Sequence, residues 1–138
     1  MPNPVNNSMK IIITLIMGIL AASSFSAVES RPDTTVQSLI CNLNSYSPNG
    51  PFASSVAYVL ADLTNVTPSQ QGYNYYTVSP FKPIAYGHAT CSVKLGNSEC
   101  VSCLIAARGD VSRFCANRIG GQVTMVDCSM RYENYAFA

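Results

Sequence analysis

Charge is scarce in this 138-residue chain, at 11% of residues, and it is nowhere concentrated. Past residue 27 the cations Arg31, Lys82, Lys94, Arg108, Arg113, Arg118 and Arg131 balance the anions Glu29, Asp33, Asp62, Glu99, Asp110, Asp127 and Glu133. Binding to nucleic acid through phosphate neutralisation needs clustered Lys and Arg. A membrane-disrupting peptide needs a basic amphipathic face. Neither pattern occurs, so both classes are set aside. Histidine is almost absent as well: His88 stands alone. Acid–base catalysis would need a nucleophile or carboxylate within its reach. The sequence names no such partner, and His88 reads as structural or surface. There is no internal repeat and no low-complexity tract.

Long apolar runs are lacking too. The longest, Ile11 to Ala22, is shorter than the roughly 20 residues a membrane-spanning helix requires. A polar stretch ending in Lys10 precedes it, and the small, polar Ser23-Ser24-Phe25-Ser26-Ala27 follows. This order predicts a secretory signal peptide over residues 1–27, cut somewhere between 24 and 30. Residues 28–138 are then one domain with a modest core. All six cysteines, Cys41, Cys91, Cys100, Cys103, Cys115 and Cys128, fall in that part. An even count in a short secreted chain reads as a disulfide framework, but spacing alone does not choose among the fifteen possible pairings.

From Pro51 to Val66, Phe52, Val56, Val59, Leu60 and Leu63 recur at helical spacing, with Pro51 in the first turn and Pro68 barring continuation. Gly72 to Val78 is polar and tyrosine-rich, and reads as extended. A second strand is expected over Ile84–Leu95, ending at Gly96-Asn97. Asn97 or Ser98 is the expected N-cap of a second helix, whose apolar positions are Val101, Leu104, Ile105, Val111 and Phe114. Gly109 is a weak point within it, and Gly120-Gly121 is expected to end it. Gln122–Tyr135 reads as one further strand. The order predicts an α+β domain with an antiparallel sheet.

The densest pattern is Cys91-x8-Cys100-x2-Cys103, with Cys115 and Cys128 beyond it. A zinc site on Cys100 and Cys103 is unnecessary where every cysteine can pair, and Cys-x-x-Cys lacks a thioredoxin-like setting. The spacing resembles the cysteine-rich secretory domain of the plant ginkbilobin-like antifungal proteins, the stress-antifungal family. Ser38-Leu39-Ile40-Cys41-Asn42, Leu60-Ala61-Asp62-Leu63, Gly72-Tyr73-Asn74-Tyr75, Ala85-Tyr86-Gly87-His88-Ala89-Thr90-Cys91, Ile119-Gly120-Gly121, Val126-Asp127-Cys128 and Arg131-Tyr132-Glu133 extend the resemblance over nearly all of residues 28–138. It implies the pairs Cys41–Cys115, Cys91–Cys100 and Cys103–Cys128, and two helices on a five-stranded antiparallel sheet.

It also implies a function. In the ginkbilobin-like proteins mannose is held by three polar side chains; Asn42 and Glu133 match two of them. The third is an arginine, and here that position is Gln122. Glutamine is shorter and neutral, so a weaker or altered sugar preference is expected. On one unbroken strand Gln122 and Glu133 would face opposite sides, and sharing a site would then require a turn or bulge. Tyr73, Tyr75 and Tyr76 are candidates for stacking on a sugar ring. Asn65-Val66-Thr67 is a glycosylation sequon with Pro68 directly after it. The expectation is a secreted, apoplastic, mannose-binding antifungal lectin, monomeric, directed at fungal cell-wall glycans. No cofactor, metal, nucleic acid or membrane span is expected. The runner-up is a protein-interaction module on the same scaffold, and a thiol oxidoreductase comes third.

Overall fold

The structure, a computed structural model, describes residues 31–137. The expected signal segment lies outside the described residues. Strand β1 is Val36–Cys41, helix α1 Pro51–Val66, β2 Asn74–Val78, β3 Tyr86–Cys91, helix α2 Asn97–Phe114, β4 Gly121–Met125 and β5 Cys128–Glu133. Two short 3₁₀ turns, Thr67–Ser69 and Gln71–Tyr73, join α1 to β2. The five strands form one antiparallel sheet in the order β1-β4-β5-β3-β2.

Helix α1 has the expected bounds, and all five residues of its expected stripe are buried. It packs on β3 so closely that a Cβ added to Gly87 would lie 2.2 Å from Val59 Cγ1. Helix α2 departs from expectation in its stripe. Cys100, Cys103, Leu104, Ala107 and Val111 form the buried face at helical spacing, while Ile105 and Phe114 are exposed. The cysteines take core positions because their bonds cross to the sheet. The N-cap is Gly96, with no side-chain cap, rather than Asn97 or Ser98. The helix ends at Phe114, well before Gly120-Gly121.

The stretch expected as a single strand over Gln122–Tyr135 is a hairpin, β4 and β5, reversing at Val126-Asp127. Asp127 holds that turn from the side: one carboxylate oxygen accepts from the Asp33 amide at 2.7 Å, and the other pairs with Lys94 Nζ at 3.3 Å. The expected strand over Ile84–Leu95 is shorter, Tyr86–Cys91.

Along β3, β4 and β5 alternate side chains enter the core against the helices. Ala89, Val123, Met130 and Tyr132 are all but inaccessible. The opposite face carries Gln122, Arg131, His88 and Tyr76 in one cross-strand row. Three disulfides, Cys41–Cys115, Cys91–Cys100 and Cys103–Cys128, pair as the resemblance implies. Each has one partner in α2 or at its C-cap, so that helix is bonded to β1, β3 and β5 in turn. All six cysteines are thus paired.

Candidate functional site on the outer sheet face

The hairpin removes the parity conflict between Gln122 and Glu133. Gln122 stands opposite Arg131, and Glu133 lies two residues further along β5 on the same face. Both therefore face away from the helices, as diagonal neighbours across two strands. Asn42 joins them from the far side. Its amide donates to the Gly120 carbonyl at 2.9 Å, extending the β1–β4 ladder one residue beyond Cys41. Since Gly121 pairs with Tyr132, Gly120 falls between Asn42 and Glu133. The three residues singled out in the sequence thus share one corner of the outer face.

Gly120 shapes that corner. A Cβ there would lie 1.9 Å from Glu133 Oε2, so the carboxylate rests over the bare backbone. Its Oε1 accepts from Arg131 Nε at 3.2 Å. Its Oε2 is buried and has no hydrogen-bond partner. Leaving a buried carboxylate oxygen unpaired is costly, by about 1–3 kcal/mol or more, and an exception of this kind in a folded chain needs a reason. Asn42 supplies the complementary chemistry. Its Oδ1 accepts from the Asn44 amide at 2.9 Å, which fixes the side chain and leaves Nδ2 as a donor. The Gln122 amide has no partner among the described residues, and offers both a donor and an acceptor.

Arg131 was not singled out by sequence reasoning, although the Arg-x-Glu spacing places both side chains on one strand face. Its guanidinium lies 4.0 Å from the Phe137 ring, and Nη2 donates to Tyr135 Oη at 3.1 Å. The residues after β5 thus fold back over the sheet. Next in the row, His88 stacks on Tyr76 with ring centres 3.9 Å apart and puts Nε2 2.6 Å from Asn74 Oδ1. Of the three tyrosines, only Tyr76 lies on this face. Tyr73 bonds to the Leu95 carbonyl and Asn97, and Tyr75 bonds to Asp62 on α1. The sequon's Asn65 is exposed near the end of α1, while Thr67 is buried.

Burial, and secondarily the charge of Arg131, holds the His88 pKa below the ordinary imidazole value of 6.5. A base depressed in the folded state stabilises the fold fully above the unfolded pKa, and that contribution is lost as pH falls through the folded pKa. The melting temperature should therefore drop between pH 7 and pH 5, and His88→Gln should flatten that part of the profile. Thermal unfolding across this range checks it; parallel profiles for the two proteins would remove His88 as the cause.

Among the described residues no cluster of His, Cys, Asp or Glu is arranged to hold a metal, and no helix is long and apolar enough to cross a membrane.

A family model described as salt stress response/antifungal matches residues 40–135. The chain is 35% identical over 109 residues to the antifungal protein ginkbilobin-like protein of Picea abies, covering 77% of this chain and 99% of that one. It is 31% identical over 133 residues to antifungal protein ginkbilobin-2 of Ginkgo biloba, covering 94% and 98%. Two solved tandem DUF26 ectodomains of Arabidopsis thaliana cysteine-rich receptor-like proteins share the fold. For PDLP5 the TM-score is 0.69 at 23% identity, covering 75% of this chain and 51% of that one. For PDLP8 it is 0.64 at 26%, covering 76% and 48%. The chain spans about half the length of each ectodomain.

Proposed function

This chain belongs to the salt stress response/antifungal family, and on that premise we propose that it is a secreted defence lectin. It binds mannose and mannose-containing glycans of fungal cell walls through Asn42, Gln122 and Glu133, and catalyses no reaction. Residues 1–27 direct export and are removed, and residues 28–138 act as a monomer in the apoplast.

The observation that carries this reading is that Asn42, Gln122 and Glu133 stand at one corner of the outer face, where the unpartnered Oε2 of Glu133 is laid over Gly120. A carboxylate acceptor and neutral amides on one face match the alternating donor and acceptor character of sugar hydroxyls. The balanced net charge favours recognition of a neutral glycan over attraction to an anionic one. A second reading, protein contact on the same scaffold, is favoured by Ile40 and Leu43, which are exposed on either side of Asn42.

Calorimetric titration of the oxidised protein with mannose and with mannan decides between them. Wild type should bind, and Asn42→Ala and Glu133→Gln should each weaken binding about 10- to 100-fold, the worth of a hydrogen bond to a charged or well-placed group. Thermal unfolding measured alongside checks that each variant is folded, since Glu133→Gln also removes the ion pair with Arg131. A folded wild type that binds neither sugar would end the lectin reading and favour the protein-contact one.

A further inference from the structure

The resemblance places an arginine at position 122, where this chain has glutamine. The geometry points to Arg131 as the residue that supplies the missing cation: we propose that the guanidinium of the glycan site has been transposed to the neighbouring strand. This rests on the glycan-binding reading above.

Gln122 and Arg131 are direct cross-strand partners on β4 and β5. Directly opposed residues stand about 4.5–5.5 Å apart at Cβ and share one face, so a long side chain rooted at either position reaches the same space. Arg131 is also the charged residue already touching Glu133, through Nε and Oε1 at 3.2 Å. It is held rigidly. Nη2 donates to Tyr135 Oη at 3.1 Å, and the Phe137 ring lies 4.0 Å from the guanidinium carbon. A fixed planar fork loses little freedom when it makes further bonds.

Two of the five guanidinium donors are thereby used, and the remaining three, both on Nη1 among them, have no acceptor among the described residues. The side chain is 29% exposed. The same guanidinium is bonded through Nε to Glu133, whose second oxygen, Oε2, has no partner. A fixed donor fork next to a fixed acceptor is complementary to two adjacent hydroxyls, one accepting from Arg131 and one donating to Glu133. The ligand chemistry implied is a vicinal diol on a neutral sugar. In this arrangement Gln122 adjusts the fit, and Arg131 contributes the charge-assisted bonds.

A purely structural Arg131, serving only to neutralise Glu133, predicts different behaviour, and a strand swap separates the two. Mannose and mannan are titrated into wild type, Arg131→Gln, and the double variant Gln122→Arg/Arg131→Gln, with thermal unfolding measured alongside. Arg131→Gln should bind about 10- to 100-fold more weakly, and the swap should recover most of that loss because the guanidinium returns to the same space. Should Arg131→Gln not fold, Arg131→Lys carries the comparison: it keeps the charge near Glu133 but lacks the planar fork, and is expected to bind more weakly than wild type. A folded Arg131→Gln, or in its place Arg131→Lys, that binds as wild type overturns the inference and leaves the lectin reading standing. So does a swap no better than the single variant. A wild type that binds neither sugar overturns the lectin reading itself, and this inference with it.

Discussion

Replacing Cys41 and Cys115 together with alanine should cost about 4–5 kcal/mol of folding free energy in the chain-entropy view. The same treatment of Cys91 and Cys100 should cost about 2.5–3 kcal/mol. The difference follows from loop length: the first bond closes a separation of 74 residues and the second only 9. A domain of this size has roughly 5–15 kcal/mol in total, so the first loss is a large share of it. The loss should also reach the glycan site. Strand β1 lies at the edge of the sheet, paired only with β4, and its side chains are largely exposed. Beyond the ladder, the Cys115 bond holds its end one residue before Asn42, and Arg118 Nη1 donates to the Asn42 and Leu43 carbonyls at 3.4 and 2.8 Å. Denaturant unfolding of both variants, with mannan titration of each, tests the two parts. Equal losses would show that strain or residual denatured-state structure, rather than loop closure, sets the contribution. Undiminished sugar binding by the folded Cys41/Cys115 variant would show that the ladder and the Arg118 bonds place Asn42 without the disulfide.

The parts of the fold legible in the sequence are those specified locally. Pro51 at the first turn and five apolar residues at helical spacing define α1 without outside help. Strand β1 is not legible in this way: as an edge strand it buries almost nothing, so Val36–Cys41 shows little alternation to read. The β4–β5 reversal is hidden for another reason. Val126-Asp127 lacks the Gly or Asn that marks a tight turn, and what stabilises it comes from Asp33 and Lys94, far away in sequence. In α2 the apolar count was misleading, because disulfide geometry draws Cys100 and Cys103 inward and leaves Ile105 outside.

The candidate site divides along the same line. Asn42, Gln122 and Glu133 were reached through the family resemblance, motif by motif. Their placement on one face depends on strand register, which no local pattern encodes once the hairpin is unseen. Gly120 and Arg131 are legible only from that register. A glycine whose purpose is to leave room for a side chain thirteen positions on carries no local mark of it.

Gly120→Ala should therefore be the most damaging single substitution at this site. The backbone at Gly120 is not in the left-handed region, so alanine is conformationally acceptable, and the whole effect is steric. The added Cβ would sit 1.9 Å from Glu133 Oε2 and 2.7 Å from Cδ, far inside contact distance. The carboxylate must swing away, which breaks its bond to Arg131 and moves the acceptor off the corner shared with Asn42. Overpacking of this kind typically costs about 1–3 kcal/mol. Sugar binding should fall at least as far as in Glu133→Gln, since acceptor and cation are displaced together. The double variant Gly120→Ala/Glu133→Ala separates steric from chemical loss. Once the carboxylate is gone, the extra methyl meets no obstacle, so the double variant should be no less stable than Glu133→Ala alone, and the two stability effects should be strongly non-additive. Additive losses would mean that Gly120 serves the backbone rather than the carboxylate. Unimpaired mannan binding by Gly120→Ala would mean that the glycan is held somewhere other than against Glu133.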